Sequence, residues 1–558
     1  MKTYLSLPVA LLTAALLGSS RPALAQAAET YSWAHLPTAQ LPTFKADTFD
    51  IKRYGAKPDG ITLNTQSINE AIADCSRKGG GVVLVPQGLW LTGPVELKSN
   101  VNLHLVRAAV LQFTTDFDQY PLVLGSFEGK PSYRNQSPLS GTGLTNVAIT
   151  GRGIVDGNGD AWRMVGRDRL TDNEWKKKVA SGGLVSEDGK KWYPSEKTRL
   201  GSVTPNPGDV VPGKTAQDYA PIKDFLRPNL LVLTSCKKVL LDGVTFQNSA
   251  AWCLHPLMCE DLTVRNVLAR NPDYAQNGDG LDVESCRNVL VEGCTFDVGD
   301  DGICIKSGKD AEGRKRGMPT ENAVIRRNVV YRAHGGFVIG SEMSGGARNL
   351  FVEDCTFMGT DIGLRFKTAR GRGGVVENIF VRNIAMKDIV HDAILFDMYY
   401  FTKAPAKLAD GQAAPETIPA VTEATPRFRN FTISNIVCNG AERGLFLRGL
   451  PEMSVQQISF DNLVLKTNKG VELIEAQDIR ISNLRLETQA AAPVVYVENS
   501  RNISFDGLRV TAPAAQPLFS VSGSRTEKIT AARTEAGKGR MAVEAKAGAN
   551  AKAVKVKS

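Results

Sequence analysis

A short unit of two apolar strands recurs along the second half of the chain, and this repeat restricts the possible folds more than any other feature. From about residue 236 the pattern returns every 21 to 29 residues, except where longer insertions intervene. The first strand recurs at Leu262–Val264, Val289–Val291, Leu350–Val352, Ile379–Val381 and Ile458–Phe460. The second strand recurs at Gly280–Val283, Gly302–Ile305, Gly336–Ile339, Gly363–Phe366, Ala393–Phe396 and Gly444–Leu447.

Short strands at a fixed period, without a helical pattern between them, are typical of a β-solenoid. A propeller is the alternative, but it needs four strands and about 40 or more residues per blade. The sequence therefore predicts an all-β protein, a single-stranded right-handed parallel β-helix. Stacking the turns about 4.8 Å apart would join the inward residues, such as Leu281 and Ile303, into one continuous core.

The ends and interruptions of this solenoid are also predicted. Asn64 and Thr65 begin an amphipathic N-terminal cap helix whose apolar positions recur at i, i+3, i+4 and i+7, at Ile68, Ala71, Ile72 and Cys75. Residues 26–50 form an N-terminal extension and residues 51–525 the β-helix domain, with loop insertions at about 160–225 and 401–427. Residues 526–558, rich in Ala and Lys, are expected to be a solvated or loosely ordered tail.

The first 25 residues are typical of a secretory signal peptide. Lys2 precedes an apolar stretch from Leu5 to Leu17, and Ala23–Ala25 offers a cleavage site before Gln26. The stretch is short and contains Pro8, so a membrane anchor is the weaker alternative. No later stretch is apolar enough to span a bilayer, so we expect a protein exported to the periplasm or secreted.

The net charge of +9 does not indicate a nucleic-acid partner, because the excess lies at the two ends. Residues 526–558 contain eight Lys or Arg and three Glu, a net charge of +5, and residues 1–25 contribute +2. The body of the chain therefore carries about +2. Any attraction for an acidic ligand must come from the local placement of charges.

Nine cysteines are an odd number for a disulfide framework. Cys236, Cys259 and Cys286 precede strands at equivalent repeat positions, and Cys294 and Cys355 both end such strands. We therefore expect most of them to be buried, stacked apolar side chains, with disulfides as the weaker alternative.

Acid and base residues fall on successive repeats, around Asn277–Asp279, Gly299–Asp301 and His334–Gly336. Each short motif alone is ordinary turn chemistry. Aligning the second strands, however, puts Asp279 and Asp301 in one column and Asp300 directly beside His334 of the next turn. Strict alternation would send Asp300 and Asp301 to opposite faces, so a bend is required there, and the flanking glycines permit it.

Cations follow one repeat later, where Arg365 and Lys367 point outward from the same face. Three crowded carboxylates do not all ionise at ordinary pKa values, so at least one should stay protonated near pH 5 to 6. A protonated carboxyl can donate to a glycosidic oxygen while its ionised neighbours activate water. The cations would bind the carboxylate of an acidic sugar.

The order of these motifs resembles the polygalacturonases, family 28 of the glycoside hydrolases. The resemblance covers roughly residues 50–510 and includes Tyr54–Gly60 at the N-terminal cap. It implies the pectin-lyase-like β-helix and metal-independent hydrolysis, without a cofactor, that inverts the anomeric carbon. The segment Phe366–Gly374 is similar to the exo-acting bacterial members.

Site residues follow from this resemblance, position by position. Asp300 would be the general acid, Asp279 and Asp301 would activate the attacking water, and His334 would assist the acid. The implied substrate-binding residues are Asn277, Arg365, Lys367 and one of Tyr399 and Tyr400.

The expected activity is hydrolysis of α-1,4-linked galacturonic acid in pectin, with exo action favoured because the two insertions could wall off one end of the cleft. The partner would be an acidic polysaccharide, with no nucleic acid and no membrane span, and the protein would be a monomer. The open alternatives are a hydrolase of rhamnogalacturonan, a calcium-dependent pectate lyase and a carbohydrate-binding β-helix.

Overall fold

The structure is a computed structural model, and it describes residues 31–402, 417–489, 493–513, 517–536 and 542–557. The proposed signal peptide and most of the predicted 401–427 insertion lie outside these residues. Within the described ranges, we find no helix that combines the length and the apolar character needed to cross a bilayer.

The described chain forms a parallel β-helix, as predicted, in which each strand pairs with the corresponding strand of the next turn. One sheet carries the acid and base residues and is called the cleft sheet. Its strands, in chain order, are Val95–Glu96, Leu139–Thr142, Leu231–Thr234, Leu254–Leu257, Leu281–Glu284, Asp301–Lys306, Gly335–Ile339, Ile362–Lys367, Asp392–Asp397, Arg443–Arg448, Lys469–Ile474, Val495–Glu498, Phe519–Ser522 and Val543–Lys546.

The rest of the wall is a second parallel sheet, called the long sheet. Strands of 13 residues, such as Val375–Lys387, pair with two shorter strands of the preceding turn and so join its two faces. Its strands are Thr48–Asp50, Gly81–Val85, Gly88–Thr92, Val101–Leu105, Ala109–Phe113, Thr145–Gly151, Ile154–Asp156, Lys237–Asp242, Thr245–Gln247, Glu260–Arg265, Leu268–Arg270, Arg287–Glu292, Thr295–Asp297, Thr320–Arg326, Val329–Tyr331, Ala347–Glu353, Thr356–Met358, Val375–Lys387, Arg427–Asn439, Val455–Thr467, Ala476–Thr488, Arg501–Asp506, Arg509–Thr511, Glu527–Ala532, Glu535–Ala536 and Val554–Val556.

Helices and short antiparallel strands lie outside these sheets. The α-helices are Thr65–Arg77, Asp172–Ala180, Glu196–Val203 and Asp310–Arg316. The 3₁₀ helices are Ile51–Tyr54, Phe117–Gln119, Gly159–Ala161, Arg167–Arg169, Ala216–Phe225 and Ala551–Ala553. The antiparallel strands are Leu122–Phe127 with Lys130–Asn135, and Val165–Gly166, Leu184–Val185 and Lys191–Tyr193 within the 160–225 insertion.

The core is the stack of inward columns that the repeat predicted. Leu281 pairs with Ile303, Ile303 with Phe337, and Phe337 with Leu364, and all four side chains are fully buried. All nine cysteines are likewise buried and free. They pack as small apolar side chains, which confirms the prediction from their repeat positions.

The N-terminal cap is the predicted helix, Thr65–Arg77, with Ile68, Ala71, Ile72 and Cys75 buried against the first turn. Asn64 stands at the N-cap but makes no capping hydrogen bond with its side chain. Its amide instead binds the backbone at Lys57, Thr62 and Leu91, which ties the start of the helix to the first turns.

Asparagines form a ladder at one corner of the solenoid. Asn322, Asn349, Asn378 and Asn430 all have a left-handed φ of 56–58°, which Asn tolerates better than most residues. Each amide donates to the amide oxygen of the asparagine one turn before, at 3.0 Å from Asn349 to Asn322 and 3.2 Å from Asn378 to Asn349. The ladder therefore fixes the turn conformation and links the turns.

Replacing Asn378 with alanine should lower the free energy of unfolding by about 2–3 kcal/mol, because two ladder hydrogen bonds are lost and a Cβ residue without a local hydrogen bond must adopt the left-handed conformation. Asn378→Gly loses the same bonds but tolerates the conformation, so it should cost about 1 kcal/mol less. Urea unfolding of both variants measures the difference. Equal stabilities would show that the left-handed φ costs nothing here.

An N-terminal segment, residues 31–47, runs along the outside of the long sheet and is called the strap. Trp33 packs edge-on against Phe351, with ring centroids 5.2 Å apart, and Arg382 lies 3.8 Å over its ring. Gln40 N donates to Asp261 Oδ1 at 3.2 Å. The strap thus covers outward apolar residues such as Phe351, which is fully buried.

The prediction that residues 526–558 form a solvated or loosely ordered tail is wrong for the residues that the structure describes there. Strands Glu527–Ala532 and Val543–Lys546 continue the long sheet and the cleft sheet, and Val554–Val556 pairs with the former. The alternating apolar residues are sparse here, which hid the repeat from the sequence. The many lysines have a physical reason, because charged side chains protect a terminal strand edge from pairing with other chains.

Candidate active site

Three aspartates meet on two successive turns of the cleft sheet. Leu281 pairs with Ile303, so Asp279 stands in the same column as Asp301, as predicted. One carboxylate oxygen from each of Asp279, Asp300 and Asp301 lies within 4.8 Å of the others. The chain bends at Asp300, and both consecutive aspartates reach the same site.

The flanking glycines serve close packing and not the backbone conformation, which corrects the prediction. Neither Gly299 nor Gly302 has a positive φ. A Cβ at Gly299 would lie 2.4 Å from the carbonyl oxygen of Pro272, and one at Gly302 would lie 2.4 Å from a methyl group of Val330. The bend therefore presses against neighbouring turns, and a side chain at either position would displace it.

Asp301 is buried and neutralised by two cations of the following turns. Lys367 Nζ lies 2.7 Å from its Oδ2, and Arg365 Nη1 lies 3.2 Å from its Oδ1. Burial alone would raise the pKa of Asp301, but the charges of Lys367 and Arg365 outweigh it and hold the pKa well below its ordinary value. Asp301 is thus an anion over the whole physiological range.

Asp300 and His334 are neighbours in the preceding column, one residue before the column of Asp279 and Asp301, as predicted. His334 Nδ1 lies 3.1 Å from Asp300 Oδ1, and His334 N donates to the carbonyl oxygen of Asp300 at 3.0 Å. Asp300 Oδ1 also accepts from the backbone N–H of Asp301 at 2.9 Å. The side chains of Asp300 and His334 are 22% and 48% exposed, so this edge of the cluster opens to solvent.

Asp279 is a carboxyl whose surroundings favour the protonated form. Its pKa is raised well above the ordinary value, first by burial and then by the charges of Asp282 and Asp300. Asp282, fully buried, has a raised pKa for the same reason of burial. Burial, more than crowding, therefore favours the protonated form of Asp279, and the charges of Asp282 and Asp300 add to it.

Asn277 begins the turn that carries Asp279, in a left-handed conformation with φ of 53°. Its Oδ1 accepts from Arg227 Nη2 at 2.9 Å, and the same guanidinium binds the carbonyl oxygens of Ala250 and Gln276. Arg227 fixes the amide of Asn277 so that its Nδ2 is left to donate elsewhere. Sequence reasoning missed Arg227, because it lies outside the repeat strands.

The two candidate tyrosines are separated by the structure. Tyr400 stacks over the cations, with its ring centroid 4.8 Å from Lys367 Nζ and 5.6 Å from the guanidinium carbon of Arg365. Tyr399 is buried and faces Arg370 and Arg448. Tyr400 is therefore the tyrosine that borders the site.

A second buried ion cluster, which the sequence did not predict, lies next to the three aspartates. Lys306 Nζ lies 3.1 Å from Glu342 Oε2, 3.5 Å from Asp282 Oδ1 and 4.8 Å over the ring of Trp252. Burial opposes the charge of Glu342, but Lys306 and Arg372 lower its pKa to about 2. Glu342 lies in a turn without a repeat pattern, which explains why it was missed.

The hairpin Leu122–Phe127 and Lys130–Asn135, called the wall hairpin, contacts the cleft sheet beside Trp252 and Lys309. Gly129 O at its tip accepts from Lys309 N at 3.0 Å, and Phe127 stacks on Trp252 at 5.8 Å. The predicted 160–225 insertion contributes indirectly, because its helix Ala216–Phe225 packs behind the hairpin. Most of the 401–427 insertion, the other predicted wall, lies outside the described residues.

The three carboxylates are also the group, among the residues that the structure describes, whose spacing would suit a hard cation. Both oxygens of Asp301 already contact Lys367 or Arg365. The positive charge that a metal would supply at this position is therefore provided by side chains.

Comparison with known proteins agrees with this geometry. The family model of glycosyl hydrolases family 28 matches residues 215–417. This segment contains all the site residues described above, but not the wall hairpin. The segment that holds the carboxylate cluster is therefore similar to the glycosyl hydrolases of family 28. A second model, rhamnogalacturonase A/epimerase, pectate lyase-like, matches residues 48–201 in the N-terminal part of the solenoid.

Similar proteins share most of the length of this chain. A probable polygalacturonase of Vitis vinifera is 28% identical over 435 residues, covering 75% of this chain and 74% of the plant protein. The exo-poly-alpha-D-galacturonosidase of Dickeya chrysanthemi is 28% identical over 473 residues, with coverages of 82% and 74%. The solved structure of a hyperthermoactive exopolygalacturonase from Thermotoga maritima superposes with a TM-score of 0.60 at 29% identity, covering 84% of this chain and 94% of that protein.

Proposed function

We propose that this protein is an exo-acting glycosidase that hydrolyses α-1,4-galacturonosyl linkages of polygalacturonate. The observation that carries the proposal is the three-carboxylate cluster, with Asp300 beside His334 and with Arg365 and Lys367 one turn beyond. The exo-acting relatives and the wall hairpin support action at a chain end.

In this proposal the substrate carboxylate binds near Arg365 and Lys367, beneath Tyr400. Asp300 donates its proton to the glycosidic oxygen as the bond to the anomeric carbon breaks. Asp301, kept anionic by its two cations, holds the attacking water together with Asp279 and accepts its proton. The departing sugar leaves on the open side of the cleft.

The spacing of the carboxylates bears on stereochemistry. Inverting glycosidases usually separate the acid and the base by about 6.5–9.5 Å, whereas the nearest oxygens here lie within 4.8 Å. We propose that the enzyme still inverts the anomeric carbon, because two carboxylates, Asp279 and Asp301, hold the water to one side of Asp300. Proton NMR of a fresh digest reports which anomer forms first.

Time-resolved sizing of products from polygalacturonate tests the exo mode. One short product should accumulate from the first time point while the polymer shortens slowly, because the wall hairpin blocks passage of the chain. An early ladder of mixed oligomers would contradict exo action. In a variant with the hairpin tip around Gly129 shortened, such a ladder should emerge, since the closed end would open.

The alternative activities are separated by parallel digests. A pectate lyase would give unsaturated products and lose activity with a chelator, whereas the proposed hydrolase gives saturated products and tolerates the chelator. A preference for rhamnogalacturonan would be seen as faster release from that polymer than from polygalacturonate. The rhamnogalacturonase model covers turns before the acid and base residues, so it does not favour that substrate here.

Residues 1–25 motivate a further part of the proposal, export to the periplasm or the medium, where pectin fragments would be met. Fractionation of a producing cell tests it. Retention of the full-length chain in the cytoplasm would contradict it.

A further inference from the structure

His334 lies between two carboxylates, one on each neighbouring turn. Its Nδ1 is 3.1 Å from Asp300 Oδ1 on the preceding turn, and its Nε2 is 3.9 Å from Asp361 Oδ2 on the following turn. The pairing of Phe337 with Leu364 places Asp361 in the same column as His334. We propose that Asp361 is a positioning residue that holds His334 as an imidazolium directed at Asp300.

The backbone of Asp361 is fixed on both sides. Its N–H donates to the carbonyl oxygen of Ala333 at 2.9 Å, and its carbonyl oxygen accepts from the N–H of His391 at 2.8 Å. The side chain is 39% exposed and stands at the solvent edge of the cleft sheet. Asp361 thus has a set position beside the imidazole without being part of the buried cluster.

Other charged groups face His334, and they do not replace Asp361. Asp301 belongs to the preceding turn and is engaged by Lys367 and Arg365. Arg365 Nη1 approaches only the backbone oxygen of His334, at 3.2 Å. The pKa of His334 is raised, first by its hydrogen bond to Asp300, against burial, and further by the charges of Asp300, Asp301 and Asp361.

The chemical role follows from the proton transfer in the proposed function, on which this inference rests. When Asp300 gives its proton to the leaving oxygen, it becomes a carboxylate 3.1 Å from the imidazole. A protonated imidazole stabilises that new charge, whereas a neutral one does so much less. Asp361 acts through His334, because it keeps the ring charged and oriented.

The pH profile of Asp361→Asn tests the role. His334 must be protonated, so activity is lost as pH rises through its pKa, and removing a carboxylate lowers that pKa. The alkaline limb of kcat should therefore move to lower pH by about 0.5–1 unit. The matched control is Glu442→Gln, two turns further along the same column, which should leave the limb in place.

A direct titration separates this inference from the proposed function. The His334 imidazole, assigned by comparison with His334→Gln, is followed by NMR in the substrate-free protein, so the readout needs no turnover. Its pKa should fall in Asp361→Asn and recover in Asp361→Glu. An unchanged titration would overturn the proposal even if the enzyme proves to be an exo-acting hydrolase.

A double-mutant cycle completes the test. If Asp361 acts through His334, adding Asp361→Asn to His334→Gln should change kcat less than twofold. An equal loss in both backgrounds would show that Asp361 acts on Asp300 or on the substrate by itself, and the positioning role would be wrong.

Discussion

With Asp300 replaced by asparagine, turnover of polygalacturonate is expected to fall about 10³-fold, while the dissociation constant of a short oligogalacturonate changes little. The amide has the same shape as the carboxyl but does not release a proton to the leaving oxygen. Arg365 and Lys367, which would bind the substrate carboxylate, remain in place. Steady-state kinetics and calorimetric binding measure the two quantities.

A matched control for Asp300→Asn is Asp297→Asn, at the end of the preceding strand. Asp297 is bound to Arg332 on the surface and lies outside the carboxylate cluster. Its loss should leave turnover within about twofold, as is usual for surface substitutions. Near-normal turnover of Asp300→Asn would mean that the Gly-Asp-Asp turn is structural.

Replacing Lys367 with methionine is expected to lower turnover about 10²-fold near pH 6 and to destabilise the fold by about 3 kcal/mol at pH 7. Lys367 is the nearer of the two cations on Asp301, and without it burial favours the neutral carboxyl. The pKa of Asp301 should then rise, and the acid limb of the activity profile should move to higher pH.

The destabilisation caused by Lys367→Met should depend on pH. The depressed pKa of Asp301 means that its contribution is present above the unfolded value of about 3.9 and is lost as pH falls. In Lys367→Met the buried carboxylate loses its partner, so the deficit should be full at pH 7 and smaller near pH 4, where Asp301 takes up a proton. Urea unfolding at both pH values measures it.

The double variant Asp301→Asn with Lys367→Met separates stability from catalysis. Removing both charges leaves no unpaired buried ion, so stability should recover most of the loss. Turnover should stay low, because Asp301 would no longer hold the water. Recovery of turnover would show that Asp301 is dispensable.

The columns of the site could be predicted because the repeat fixes the register. Once Leu281 and Ile303 are recognised as equivalent inward residues, Asp279 must stand over Asp301. The same register places Asp300 beside His334. It also places Asp361 in that column, although a lone aspartate with no motif around it gave no reason to single it out.

Contacts between separate parts of the chain could not be read from the repeat. Glu342 lies in a turn and contacts Lys306. Gly129 of the wall hairpin contacts Lys309, which is more than a hundred residues away in sequence. Such contacts depend on how excursions fold back onto the solenoid. The strap was not predicted either, although an outward-facing Phe351 in a repeat strand leaves apolar surface that another segment can cover.

The strap also changes how the solenoid can come apart. A stack of turns that contact only their neighbours can open at any boundary, and fraying at one place need not affect the next. Residues 31–47 hold Asp261 at one point and Phe351 at another, and the turns between them carry the acid and base residues. Opening any one of those turns must also detach a segment from a distant part of the chain. The turns spanned by the strap should therefore open cooperatively, as one unit.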